Sequence, residues 1–427
     1  MTESIKNIKL RIKKYLELEN VSFLFGAGSS FHLGAPIIRT IPAELKYQCL
    51  PEITQYFGEG ADPAYEDLFN CLQADRYLKE MKKEDVSSLN TSMAKMQKWL
   101  FDQCDTNKTT IHNLYSSDKK LESNRYHYHE VLVKKLLQRP AHLKRANLFT
   151  TNYDMAFDYA LDNLGVHYVN GFMGVHNRCF RPEVYDYDLY YPGQSVIGKV
   201  HRAEKVLRYY KMHGSLSWVS TPSTVSNTYG IKEISLNGDF TPDEDNEIMI
   251  YPCVSKKSFT LDLPYSELFR QFSQAINQPQ SVLVCVGYSF YDEHINDIIR
   301  QALSIPSFTL IIANYSPTID PESEIENLKA LGDKRIIVLD QLDVEQSTFV
   351  SFVDKVMPDL YEEDELVYVA ETLGKLYPSK KDTDTDVTSD ANDGLNTNTG
   401  LYVKADLNTE SNSDSGKDLA TGDDLPF

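Results

Sequence analysis

Val21-Ser-Phe-Leu-Phe-Gly-Ala-Gly-Ser-Ser30, continued by Phe31-His-Leu-Gly-Ala-Pro-Ile-Ile-Arg39, decides how the chain is read. Val21 to Phe25 is a short apolar run rich in β-formers, the signature of a strand buried on both faces of a parallel sheet. It runs into Gly26, Ala27 and Gly28 and then into an expected helix start carrying Ser29 and Ser30. A strand, a glycine turn and a helix N-terminus make a phosphate cradle, because glycine lets backbone approach an anion and unpaired N–H groups favour it. The dinucleotide fingerprint G-x-G-x-x-G asks for a third glycine at position 31, which is Phe31 here. The stretch by itself therefore supports two readings, a nucleotide cradle and a plain tight turn.

Working outward, strand-like runs ending in polar residues recur. Ala146-Asn-Leu-Phe-Thr-Thr151 ends in Asn152-Tyr-Asp154, and Val206 to Met212 delivers His213-Gly214. Ser281 to Val286 ends in Gly287-Tyr-Ser289, Phe308 to Ala313 in Asn314, and Arg335 to Leu339 in Asp340. Six such strands predict an α/β fold, a Rossmann-like parallel sheet with helices on both faces and one ligand cleft along its carboxyl edge. A histidine followed by glycine at a strand end is expected to be exposed and unhindered, which suits a general base. Asn152 or Asp154 equally suits a cap for the helix that follows, at about 155–164.

Helical spacing predicts a first amphipathic helix over 4–19 and helices over 44–50, 65–77, 93–104 and 130–138. Residues 43–145 are read as a helical insertion and 166–210 as a long loop or small subdomain. After Trp218 a polar loop is expected up to about Asn246, then a strand over 248–251 and helices over 264–276 and 292–303. Tyr126-His-Tyr-His129 is unsuited to metal, because histidines two apart do not share a helix face, and a surface or packing role is expected.

The chain has 427 residues and a net charge of −19, which argues against a surface dedicated to nucleic acid or anionic lipid. No apolar run has membrane-spanning length and the N-terminus lacks a signal-peptide core, so a cytoplasmic location is expected. Six scattered cysteines without a C-x-x-C pair predict no structural zinc. From about Pro378 the composition turns to Asp, Thr, Asn, Ser and Gly, as in a disordered tail. Residues 382–427 carry eleven acidic residues against Lys404 and Lys417, a net charge of −9, and finish in Asp423-Asp-Leu-Pro-Phe427.

Taken together, the strand ends resemble the sirtuin-like NAD-binding family. Gly26-Ala-Gly, Ser30, Gly34, Pro36 and Arg39 fall in the register of that family's opening motif. Thr150-Thr-Asn-Tyr-Asp154 is similar to its Thr-Gln-Asn-x-Asp motif, His213-Gly214 to its catalytic histidine motif and Gly287-Tyr-Ser289 to its Gly-x-Ser motif. Asn314 stands where the family holds the adenosine ribose. Ile37-Ile38 departs from the Asp-Phe of the protein deacylases, and the four-cysteine zinc module is missing. The run Gly287-Tyr-Ser-Phe-x-Asp-Glu-His-Ile-Asn296 is closer to a bacterial sirtuin-like branch associated with anti-phage defence, whose members hydrolyse NAD.

The resemblance implies His213, Asn152 and Asp154 as catalytic residues, with NAD as substrate. It implies Gly26, Ala27, Gly28, Ser30, Arg39, Gly287, Ser289 and Asn314 as its binding residues. Asp154 keeps its reading as a cap, and Arg39 its reading as a surface ion pair. The resemblance also implies an oligomer, with a HerA-type ATPase as a possible partner. Two other activities are weighed beside NAD hydrolysis: NAD-dependent deacylation and non-catalytic sensing of NAD or ADP-ribose. The domain division expected is a first helix and the start of the NAD-binding domain over 1–42, the insertion over 43–145, the rest of the domain over 146–365, and the tail over 378–427. The tail tip resembles that of bacterial single-stranded-DNA-binding proteins, which implies docking on proteins that bind such tails; a solubilising tail is the other reading.

Overall fold

The computed structural model describes residues 5–36, 41–193, 200–236, 247–249, 263–315, 323–342, 345–346 and 348–360. The chain divides into two units, Met1–Glu363 and Asp364–Phe427, and the second, with the acidic tail, lies outside the described residues.

Seven parallel strands form the main sheet. β1 (Asn20–Phe25) lies between β2 (Asn147–Thr150) and β12 (Ser281–Val286), in the order β14-β13-β12-β1-β2-β8-β3. The remaining strands of that sheet are β3 (His167–Val169), β8 (Val206–Lys211), β13 (Thr309–Ala313) and β14 (Ile336–Leu339). From β1 the chain winds to one side through β2 and β8, then returns past β1 and winds to the other through β12, β13 and β14. The reversal falls between β1 and β12, the switch point outside which open α/β sheets bind their ligands.

Alternation along the buried strands decides which layer covers each face. Val21, Phe23 and Phe25 point to one side, where α1 (Ile5–Leu16), α7 (His127–Leu137), α8 (Ala156–Asn163) and the segment Phe349 to Met357 cover them. Leu24 points to the other, with Phe149, Leu283 and Cys285, against α9 (Tyr265–Ile276) and α10 (Glu293–Ala302). All six strands expected from their polar ends are present. The seventh, β3, has only three residues, and its exposed first position leaves no apolar run to read.

Between β1 and β2 the chain is helical. α2 (Ala43–Gln48), α3 (Leu50–Phe57), α4 (Tyr65–Lys82) and α5 (Ser87–Cys104) share a core of their own around Tyr65, Phe69, Met96 and Leu100. α6 (Lys119–Ser123) and α7 instead contribute Leu121, Leu132, Val133 and Leu136 to the main sheet's core. The segment 166–210, for which a long loop or a small subdomain is expected, contains short strands. β4 (Phe172–Met173), β5 (Arg178–Phe180), β9 (Gly214–Ser220), β10 (Ile231–Glu233) and β11 (Glu247–Met249) make an antiparallel sheet ordered β11-β9-β10-β5-β4. β6 (Tyr190–Pro192) and β7 (Val200–Arg202) form a separate hairpin. Apart from β9 these strands have two or three residues, and β5, β7, β10 and β11 carry charged ones, so no apolar run marks them. Their buried side chains (Phe172, Phe180 and Trp218) still join the core on the α9 face.

His129 is fully buried on α7, not on the surface, and its ring stacks on His32 with centroids 5.3 Å apart. Phe349 lies 4.7 Å from His129 and 5.5 Å from His32, and Phe157 is 4.7 Å from His129. None of the four ring nitrogens has a hydrogen-bond partner among the described residues. Burial holds His32 down at about 3, with Asp118 opposing and Arg125 reinforcing the shift, and it lowers His129 as well, helped by His32.

A histidine depressed in the folded state binds its proton more readily when unfolded. The penalty is therefore absent above the unfolded value of about 6.5 and grows as pH falls towards the folded value. Each neutral imidazole should cost stability at about 1.4 kcal/mol per pH unit below that point, roughly 2 kcal/mol by pH 5. The melting temperature of the wild type should fall markedly between pH 7.5 and pH 5. Replacing the pair, His32→Phe with His129→Leu, should flatten that dependence. An equally steep fall in the double variant would place the acid sensitivity elsewhere.

Candidate functional site at the switch point

The carboxyl end of β1 does not run into a long helix. Ala27–Ser29 and Phe31–Leu33 are two successive 3₁₀ turns, closed by Gly34 in the left-handed conformation at φ 92°. A Cβ on Gly34 would lie 2.0 Å from the Thr110 carbonyl oxygen, where the Thr109 hydroxyl also donates to the Leu33 carbonyl. The second turn thus ends on a left-handed glycine packed tightly against residues 109–110. The backbone N–H groups of Gly28, Ser29 and Ser30 are already paired, with Gly287, Gly26 and Ala27 carbonyls respectively. The expected cradle of free N–H groups at a helix start is therefore replaced by a closed turn whose exposed member is Ala27.

What Gly26 and Gly28 provide is proximity to a second loop. A Cβ on Gly26 would lie 2.6 Å from the Gly287 oxygen, and one on Gly28 would lie 2.8 Å from the Gly287 Cα. Gly287 has φ 65°, and a Cβ there would meet the Ser29 nitrogen at 2.5 Å. The turns after β1 and β12 thus interlock at the switch point through three residues without side chains. Ser289, two residues on, is exposed, and the buried Tyr288 is held by its hydroxyl 3.2 Å from Asn296 Oδ1.

Gly287→Ala adds both an overlap and a backbone strain, so it should destabilise the protein by roughly 3 kcal/mol. Gly332→Ala is the control, since it shares the positive φ, at 63°, but has open space around it. It should cost only about 1 kcal/mol. Equal losses in denaturant midpoint for the two variants would contradict the interlock.

The β2 end supplies Asn152 and Asp154. Asn152 is 9 % exposed; its Nδ2 donates to the Ser29 hydroxyl at 3.1 Å and the Ser30 hydroxyl at 3.2 Å. Asp154 stands one residue before Met155, the N-cap of α8, and accepts from the Ala156 N–H at 2.9 Å. Burial pushes its carboxyl up, opposed by the Lys211 charge, the Ala156 N–H and a hydrogen bond from Ser30. Ser30 is thus shared between Asn152 and Asp154, joining the turn after β1 to the turn after β2.

The β8 end is anchored beneath this loop. Lys211 is 3 % exposed and pairs with the equally buried Asp158 at 3.2 Å, while Nζ also donates to the Tyr153 and Asp154 carbonyls at 3.2 and 2.6 Å. Tyr209 donates to Asp158 at 3.1 Å. Tyr153, from the turn after β2, and Leu216 of β9 pack into the core of α2–α5, so the helical segment rests against the site. A lysine inside an apolar strand gives no sign in sequence that it reaches the neighbouring turn, and Lys211 and Asp158 were not anticipated as site supports.

Lys211→Met should leave Asp158 charged and buried without its cation, a loss of about 3–5 kcal/mol. Adding Asp158→Leu should recover a large part of it in a thermal melt. No recovery would mean that the carbonyl contacts of Lys211 outweigh the ion pair.

His213 fills the two-residue link between β8 and β9, followed by Gly214 at φ 88°. It is 3 % exposed, not open as its sequence position suggested. The chain turns at once into β9, and Phe269 of α9 and His294 of α10 lie over the ring, with centroids 6.4 and 6.1 Å away. In the sequence His294 stands only within the run Gly287 to Asn296, with nothing to place it beside His213.

At the far side of the switch, Asn314 follows β13. It is 9 % exposed and donates from Nδ2 to Asp340 at 2.8 Å. Asp340 in turn pairs with Lys329 at 2.7 Å. Arg39 and its neighbours in 37–40 lie outside the described residues. Among the described residues no group of three or more His, Cys, Asp or Glu side chains is placed to hold a metal. No helix there is long and apolar enough to cross a membrane.

A comparison with curated proteins gave no match. Among solved structures, a Sir2 homologue mutant in complex with 2'-O-acetyl ADP ribose aligns with a TM-score of 0.38 and 13 % identity, covering 85 % of this chain and 97 % of that one. The stretch that carries β2, β8, β12 and β13 with their carboxyl ends, residues 146–332, matches the family of SIR2-like domains.

Proposed function

We propose that this chain hydrolyses NAD to nicotinamide and ADP-ribose. The observation that carries the reading is the convergence of Asn152, tied to Ser29 and Ser30, with His213 on the neighbouring strand end, beside a switch point built from glycine. The SIR2-like match over 146–332 includes Asn152, His213, Gly287 and Asn314 and supports an NAD-utilising site.

In this reading NAD lies across the switch point with its diphosphate over Gly26, Ala27, Gly28, Ser30, Gly287 and Ser289, and its adenosine ribose at Asn314. Arg39 faces the phosphates or the nicotinamide. The nicotinamide–ribose bond breaks with its electron pair leaving on neutral nicotinamide, and the ribose carbon becomes oxocarbenium-like. Water adds to that carbon. His213 takes the proton released from the water and passes it to solvent. Asn152 orients water and ribose, and Asp154 holds the loop that carries Asn152. The reaction consumes NAD and water and yields nicotinamide, ADP-ribose and one proton.

The same reading makes the protein a cytoplasmic effector of anti-phage defence that acts by depleting NAD, without zinc. It works as an oligomer or with a HerA-type ATPase, and the acidic tip recruits proteins that bind single-stranded-DNA-binding-protein tails. Tyr47 on α2 and Met81 near the end of α4, 80 % and 70 % exposed, favour the helical segment as the contact face.

Full-length protein incubated with NAD should release nicotinamide with or without an acyl-lysine peptide. Asn152→Ala and His213→Ala should each lower the rate by about 100-fold or more while melting within a few degrees of the wild type. Release that requires the peptide would make the chain a deacylase, and saturable NAD binding without release would make it a sensor. Wild-type rates in both folded variants would remove these residues from the site.

A further inference from the structure

β8 and β12 are three strand positions apart in the sheet, about 14 Å. The residues that follow them nevertheless bring two imidazoles to a centroid separation of 6.1 Å, with the ring planes inclined by 44°. The loops after β8 and β12 therefore reach towards each other across the ends of β1 and β2. Phe269 packs edge-on against His294 at 4.5 Å and sets one apolar wall beside the pair. His294 occupies the first turn of α10, directly after the Gly287 loop, and is half-buried, whereas His213 is 3 % exposed.

We infer that His294 is a positioning residue of this site: it takes the first proton of the histidine pair and its charge keeps His213 in the neutral, basic form. The inference rests on the reading of His213 as the base. Two imidazoles this close resist double protonation, and the better-solvated ring accepts its charge at lower cost. Among the described residues, two cations on the packed elements are matched by carboxylates. Lys211, two residues before His213, is paired with Asp158, and Arg270 of α9 is paired with Glu267. Asp292 and Glu293 immediately precede His294 at the start of its helix, and their charges favour its protonated form against the positive end of the helix dipole.

The test is a titration of the histidine rings by NMR on the full chain, which needs no turnover, with the pH–rate profile of nicotinamide release beside it. In His294→Gln the His213 midpoint should rise by roughly half to one pH unit. The acid limb of the rate profile should move by the same amount, so that kcat falls most on the acid side. His294→Asn serves in the same way should the glutamine variant melt early. An unchanged His213 midpoint in a folded variant overturns the inference, whether or not the protein cleaves NAD. A shifted midpoint in a protein that does not cleave NAD would uphold the histidine coupling and reject the hydrolase reading.

Discussion

The mutual approach of the turns after β1 and β12 is the constraint on which the site depends. Three glycines, Gly26, Gly28 and Gly287, allow backbone to meet backbone at distances that no side chain permits. The contact lies where the winding of the sheet reverses, so the two halves of the fold are joined at the position where a ligand is expected. Ser29 and Ser30 follow directly, and their hydroxyls reach Asn152 at the end of the next strand. A side chain introduced at this junction would move the serines and, through them, Asn152.

Beneath the loops the support is ionic. Lys211 and Asp158 are charged groups with almost no access to water, and such a pair is justified only if its hydrogen-bonding capacity is filled. Lys211 fills its own capacity by donating to two carbonyls of the Asn152 turn as well as to Asp158 Oδ2, while Asp158 Oδ1 has no partner among the described residues. The turns after β2 and β8 are thereby fixed to each other, and His213 inherits a defined position from the strand it follows. Tyr153 of the Asn152 turn and Leu216 of β9 reach into the core of α2–α5, which couples the helical segment to the geometry of the site.

The parallel sheet was legible because strands buried on both faces read as continuous apolar runs, as Val282-Leu-Val-Cys-Val286 does. The antiparallel sheet was not, since pieces such as Arg178–Phe180 and Ile231–Glu233 mix charge with apolar side chains and are too short to show a period. The placement of polar residues at strand ends was visible for Asn152, His213 and Asn314, but their exposure was not. Burial of His213 depends on α9 and α10, whose residues lie more than fifty positions downstream. The need for glycine at position 34 comes from Thr110, nearly eighty residues downstream.

The position of β1 in the sheet has a consequence for synthesis. Its neighbours are β2, whose Asn147 pairs with Ser22, and β12, whose Ser281 pairs with Asn20. At ribosomal rates the second partner emerges roughly 10–50 s after β1 itself. Throughout that interval Val21 to Phe25 is an apolar strand with at least one open edge, the kind of segment that pairs with other chains. The amphipathic α1, made just before it, is the earliest element able to shield one face, through Ile8, Ile12 and Leu16. The fold therefore closes around its first strand only when most of the sheet has been made, which exposes the nascent chain to aggregation and to chaperones for longer than its size alone would require.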